Sequence, residues 1–263
     1  MLTKEQEYAI MEEFFIATRL VWVGLRELNR MYGSTDFFHL PLLLLSSGFE
    51  RIMKAILCLY HLKKHKAFPN TVEFYEYHGH DLENLLGKIK ERCFSEYYLN
   101  HIPVAKMDLD FLNNPILAKI IEVLSNFGKG SRYYYLDVVI SKEKIRKSPK
   151  EEWETLESEV LRTESINDLK NIGDPFKRIN YALTIRFEKL ARALTRLLTL
   201  SDGGNLPLRS CIPAYHFISL KVTNNCSREV AKNCSSLIAK ICSFLLTIYN
   251  LADRRLLSVR KVA

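Results

Sequence analysis

The chain has 263 residues, 48% of them hydrophobic, and a formal net charge of +8. A chain of this length buries roughly 70 to 75% of the surface its unfolded form exposes, enough for one large core or two modest ones. Its most apolar run, Leu42 to Leu45 with Leu40 and Pro41 before it, falls far short of the ~20 residues a bilayer needs, so no membrane span is expected, and the surplus of Lys and Arg permits attraction to phosphate-rich partners without demanding it.

From Lys4 to Met31, the residues Tyr8, Met11, Phe15, Thr18, Trp22, Leu25 and Leu28 recur at three- and four-residue intervals, which predicts one long amphipathic helix. Gly33-Ser34-Thr35 breaks it. Pro41 suits the first turn of a second helix, where a missing N–H costs nothing, and Leu44, Phe49, Ile52, Met53, Ile56, Leu57 and Tyr60 carry its apolar face. Lys63, Lys64, His65 and Lys66 close that helix as cations at the negative end of its dipole, a solvated terminus rather than a binding patch. An irregular His- and Tyr-rich loop follows, and Gly79-His80-Asp81-Leu82 opens the next helix. Two caps are open there: Asp81 paired with Asn84, or His80 paired with Glu83.

Asn114-Pro115 starts a helix through Ile116, Leu117, Ile120, Ile121, Leu124 and Phe127, with Gly128 and Gly130 as its stop. Tyr133 to Ile140 reads as strand-like, with three tyrosines and two valines. Ser148-Pro149-Lys150-Glu151 is a capping box that launches Trp153, Leu156, Val160 and Leu161. Asp174-Pro175 repeats the device before Phe176, Ile179, Leu183, Phe187, Leu190, Leu194 and Leu197, and Gly203-Gly204 ends that long helix. Pro213 begins a shorter one, and Val230, Cys234, Leu237, Ile241, Phe244, Ile248 and Leu251 describe a last helix. One strand-like segment does not make a sheet, so the expected class is all-α, an antiparallel helical bundle. The connection Ser141 to Pro149, rich in Lys, divides residues 1–140 from a C-terminal helical region, 141–263, that can share the same core.

Six cysteines occur and no pair has the Cys-x-x-Cys spacing of a zinc or redox loop, so they read as small apolar thiols in a reducing cytoplasm. The N-terminus has neither the basic nor the apolar region of a secretory leader, which again predicts a cytoplasmic protein. Phosphate-loop, dinucleotide, zinc-protease and nucleophile-elbow motifs are all missing from the sequence, so no cofactor is expected.

The order of features from Leu40 onward, with Glu50, Lys54 and Ala55 on one helix, then Gly79-His80-Asp81-Leu82 with Leu85 and Leu86, and later Arg132-Tyr133, resembles the HEPN superfamily of helical-bundle proteins. The likeness spans about residues 40 to 137, leaving additional C-terminal helices. It implies one of two functions. Many HEPN proteins are metal-independent endoribonucleases that act as dimers in toxin or antiviral defence systems, and others are non-catalytic companions. In the nucleases an Arg-x(4 to 6)-His motif from each protomer meets at the dimer interface. The match here is Arg209-Ser210-Cys211-Ile212-Pro213-Ala214-Tyr215-His216. His216 would move protons, because imidazole titrates near neutral pH. Arg209 would hold phosphate oxygens, and Ser210 would orient either group. Pro213 departs from the family's pattern, since both residues cannot sit inside one unbroken helix. The alternative for the pair is a surface Arg and a partly buried His near a helix N-terminus.

Lys129, Arg132 and Tyr133 to Tyr135 combine cations with flat rings, as single-stranded RNA sites do, while core packing of alternate tyrosines is the plainer account. His78, His80 and Asp81 offer metal-ligand types but no further ligand at a defined distance, so helix capping is expected and no metal site. The leading expectation is a non-catalytic module that binds RNA or a protein partner and forms a homodimer. The alternative is the endoribonuclease built on Arg209, Ser210 and His216.

Overall fold

The computed structural model describes residues 3–32, 38–77, 79–141, 147–163 and 174–200, all within the first of two compact units, 1–220 and 221–263. Among the described residues every regular element is helical. The first helix, α1 (Lys4–Leu28), begins at a reciprocal cap: the Gln6 N–H donates to Thr3 Oγ1 at 3.1 Å and the Thr3 N–H to Gln6 Oε1 at 3.2 Å. The second, α2 (His39–His65), ends on Lys66, whose φ of 60° lies in the left-handed region that turns chains out of helices.

These two helices run antiparallel, and small residues set how closely. Gly24 of α1 faces Leu45, Val21 faces Gly48, and Glu13 reaches Arg51 at 2.7 Å, so positions descend along one helix as they climb the other. A Cβ on Gly48 would lie 2.7 Å from Val21 Cγ2 and 2.9 Å from the Val21 backbone nitrogen. The approach therefore depends on the absent side chain. α2 is buried on most sides, through Leu42, Leu45, Phe49, Ile52, Met53, Ile56, Leu57 and Leu59.

A short helix α3 (Thr71–Phe74) and a 3-10 turn (Tyr75–Tyr77) lead to α4 (Leu82–Cys93), then α5 (Glu96–His101) and α6 (Pro103–Leu112). α7 (Pro115–Lys129) starts where Asn114 Oδ1 accepts from the Ile116 N–H at 2.9 Å, with Pro115 at the first position. After a 3-10 turn (Ser131–Tyr133) come α8 (Tyr134–Ser141), α9 (Pro149–Thr163) and α10 (Pro175–Leu200). The expected capping box at Ser148 is present, with Glu151 N–H to Ser148 Oγ at 3.1 Å and Ser148 N–H to Glu151 Oε2 at 2.9 Å. Asp174 caps α10 through the Phe176 N–H at 3.0 Å.

α2 touches α1, α4, α7 and α10, and α9 lies against α7 and α10. Phe49 and Phe187 stack at 5.8 Å between α2 and α10, and Trp153, Leu156 and Val160 of α9 join the same core. Two polar ties hold α10 in place. Asn180 Nδ2 donates to the Met31 carbonyl at 2.7 Å, and Arg196 grips the buried Asp108 of α6 with two nitrogens, one of them Nε at 2.7 Å.

The segment Tyr133 to Ile140 corrects the sequence expectation: it is the end of a 3-10 turn followed by helix, not a strand. No strand exists among the described residues to receive its backbone groups, and a helix satisfies them within the segment itself, which outweighs the β preference of Tyr and Val. Gly128, expected to stop α7, sits inside it, and Gly130 is the residue beyond the end. The expected breaks at Gly33 and Gly203 and the helices around Pro213 and from Val230 to Leu251 lie outside the described residues.

Candidate functional site

The polar groups that α2 carries into the core face converge on the turn before α4. Glu50 and Lys54, one helical turn apart, share a face, and Lys54 Nζ lies 2.6 Å from Glu50 Oε1. Gly79 adopts φ +80°, a backbone open to glycine and costly for other residues, and reverses the chain so that His80 returns onto α2. His80 Nδ1 sits 2.6 Å from the other carboxylate oxygen, Glu50 Oε2.

The exposure of this triad is unequal. The Glu50 side chain is 12% exposed and that of His80 43%. A carboxylate only accepts, so Nδ1 carries the hydrogen and donates it. In the neutral ring Nε2 is then the acceptor.

The next residue, Asp81, answers the question of the cap. Its Oδ1 accepts the Asn84 N–H at 3.1 Å, whereas His80 is engaged with Glu50 and does not cap α4. Asp81 also ties α4 to α7. Lys129 Nζ lies 2.8 Å from Asp81 Oδ2 and 3.8 Å from Glu83 Oε2, and Ser125 Oγ accepts the Leu82 N–H at 3.2 Å. Burial works to raise the Asp81 carboxyl, but the hydrogen bonds from Lys129 and from the Asn84 amide outweigh it and hold it below its ordinary value. α7 can approach because residue 128 is glycine: a Cβ there would lie 2.8 Å from Ser46 Oγ and 3.1 Å from His80 Cβ.

Beyond Lys129 the chain forms a ring-and-cation shelf. The Arg132 guanidinium carbon lies 4.9 Å from the centre of the Tyr133 ring. Tyr133 and Tyr135 are each about half exposed, while Tyr134 between them is buried and meets Tyr135 edge-on at 5.3 Å. His39, at the start of α2, backs this shelf, with its ring 5.8 Å from Tyr135 and 5.5 Å from Phe127. Burial lowers the pKa of His39, which favours its neutral form.

The structure thus brings Lys129, Arg132 and Tyr133 to one end of the bundle, with Lys129 already engaged by two carboxylates. Arg209, Ser210 and His216 lie outside the described residues. The Glu50–His80 bond escaped sequence reasoning, although its parts were visible as Glu-x-x-x-Lys on one helix face and a histidine before a helix start. Their convergence depends on the path of the loop between them, which no local pattern fixes. Among the described residues no group of three or more His, Cys, Asp or Glu side chains is placed to hold a metal ion, and no helix is long and apolar enough to cross a membrane. No protein-family model, curated protein or solved structure matches the chain.

Proposed function

We propose that the chain is a HEPN-like antiparallel bundle that binds single-stranded RNA at the end where α7 runs into residues 131–135. The observation that carries this reading is the Arg132 guanidinium over Tyr133, with Tyr133 and Tyr135 both open to solvent. An exposed ring takes a base on its face, and a guanidinium takes a phosphate in a two-pronged grip. Lys129 adds a second cation, but a phosphate must compete for it with Asp81 and Glu83. Arg132 is therefore the principal anchor.

Titration of a fluorescent single-stranded RNA at several salt concentrations tests this. Replacing both Tyr133 and Tyr135 by Ala should weaken binding by about 1–3 kcal/mol for each stacked base. Arg132→Ala should flatten the salt dependence by about one phosphate's worth. Failure to bind RNA, or binding indifferent to salt and to these substitutions, rejects the reading.

A second reading, a protein-binding module, rests on α8. Leu136, Val139 and Ile140 stand exposed on one short helix, Ile140 at 81%. The occupant this reading names is a second copy of the chain. Sedimentation should then show a dimer that Ile140→Lys dissociates, and a monomer at all concentrations rejects it.

A further inference from the structure

We infer that α8 docks the chain on an anionic lipid surface, with its apolar side chains among the acyl chains just below the headgroups and the neighbouring cations on the lipid phosphates and carboxylates. The inference does not rest on the RNA-binding reading, and it gives α8 an occupant other than a second copy of the chain.

Three observations carry it. First, the exposed apolar side chains are too widely spread for a helix that packs on one neighbour. At about 100° per residue, Val138, Tyr135, Val139, Leu136 and Ile140 cover about 200° of the helix surface, with Asp137 beyond the edge of that arc. All five are exposed, Val139 at 75% and Ile140 at 81%. A flat partner face covers less than half of a rod, whereas a medium into which the helix sinks covers the whole arc. Second, α8 stands at the margin of the bundle. It packs on the 3-10 turn before it, Tyr134 is buried at its start, and residues 135–140 are all exposed. Its eight residues span about 12 Å against the ~30 Å of a hydrocarbon core, so it lies in the interface and does not cross.

Third, the charge fits an anionic surface and not a second copy. Lys129 and Arg132 precede the apolar run, and in the sequence Lys142, Lys144, Arg146 and Lys147 follow it, with Glu143 as the one acid among them. Cations on both sides of an apolar segment are drawn to anionic headgroups, and the attraction is felt only within a Debye length of the surface. Two copies meeting through α8 would instead carry these like charges toward each other, which disfavours the pairing. Tyr133 and Tyr135, each about half exposed, add rings with an apolar body and a polar hydroxyl, the type of side chain that settles at headgroup level.

The test is sedimentation of the full chain with phosphatidylcholine vesicles made with and without phosphatidylserine. Wild type should pellet with the anionic vesicles and much less with the neutral ones. Replacing Leu136, Val139 and Ile140 together by Ser keeps the charge and removes the apolar surface, so partitioning should fall by about tenfold or more. The same variant retains Arg132, Tyr133 and Tyr135, and its affinity for single-stranded RNA should stay within about twofold of wild type. Arg132→Ala should weaken partitioning by about fivefold on the anionic vesicles and leave the neutral ones unaffected. Depth is read from Val139→Trp: its emission, after subtraction of the wild-type signal of Trp22 and Trp153, should shift to the blue on adding anionic vesicles and be quenched by lipids brominated along the acyl chains. Absence of pelleting overturns the inference. So does pelleting that the triple Ser variant keeps in full with the Val139→Trp signal unquenched, since the chain is then held by charge alone. A dimer that Ile140→Lys dissociates, in a chain indifferent to vesicles, also overturns it and returns α8 to the second copy. A chain that binds vesicles in this pattern but no RNA overturns the RNA reading and leaves the inference standing.

Discussion

Helices α2 and α8 are both rich in large apolar residues, yet they have opposite fates. α2 is enclosed by α1, α4, α7 and α10, and its mid-helix charges are paired, Glu50 with Lys54 and His80, Arg51 with Glu13. α8 buries Tyr134 at its start and leaves Tyr135, Leu136, Val138, Val139 and Ile140 exposed. Apolar content alone therefore does not place a helix. Neighbours decide, and close approach to a neighbour requires small residues such as Gly48 and Gly128 at the crossing points.

The sharpest way to break this contrast is Gly48→Ala. The added methyl meets the Val21 backbone, which cannot rotate away, so α1 and α2 must separate. We expect a loss of about 2–3 kcal/mol despite the better helix propensity of alanine, read as a fall in the denaturation midpoint. An unchanged midpoint would mean that the two helices are less closely packed than described.

Asp81→Ala should come next, at about 1 kcal/mol, because it removes the α4 cap and the partner of Lys129. Its pH dependence has a definite sign. The folded carboxyl is held below its unfolded value of about 3.9, so the stabilisation is fully present above that pH and fades as pH falls through the lower folded value. Wild type and variant should therefore differ at neutral pH and converge in strong acid. A gap that widens on acidification would contradict the assignment of Asp81 as a charged cap.

The smallest effect belongs to α8. Val139→Lys should change folding stability by no more than about 0.5 kcal/mol at concentrations where the chain is monomeric, since its side chain is three-quarters exposed. A larger loss would show that α8 is part of the core after all.

The same contrast explains what the sequence disclosed. Long helices announce themselves through spacing and through caps whose bonds close within three or four residues, and Asn114, Ser148 and Asp174 all behave as read. The choice between Asp81 and His80 as the α4 cap stayed open, because it is settled by Glu50, thirty residues earlier in the chain. Tyr133 to Ile140 misled for a related reason: its β-prone residues encode half of a ladder, and no second half lies beside it among the described residues. Within the candidate site, residue types were legible, and the juxtaposition of Glu50, His80 and Lys129 was not.

The most direct measurement is the tautomer of His80, read from nitrogen chemical shifts of the histidine-labelled chain with His80→Asn to assign the signal. Glu50 holding the ring predicts hydrogen on Nδ1 and a bare Nε2 in the neutral form, a pattern that Glu50→Gln weakens. Hydrogen on Nε2, or a ring exchanging freely between tautomers in the wild type, would contradict the described contact.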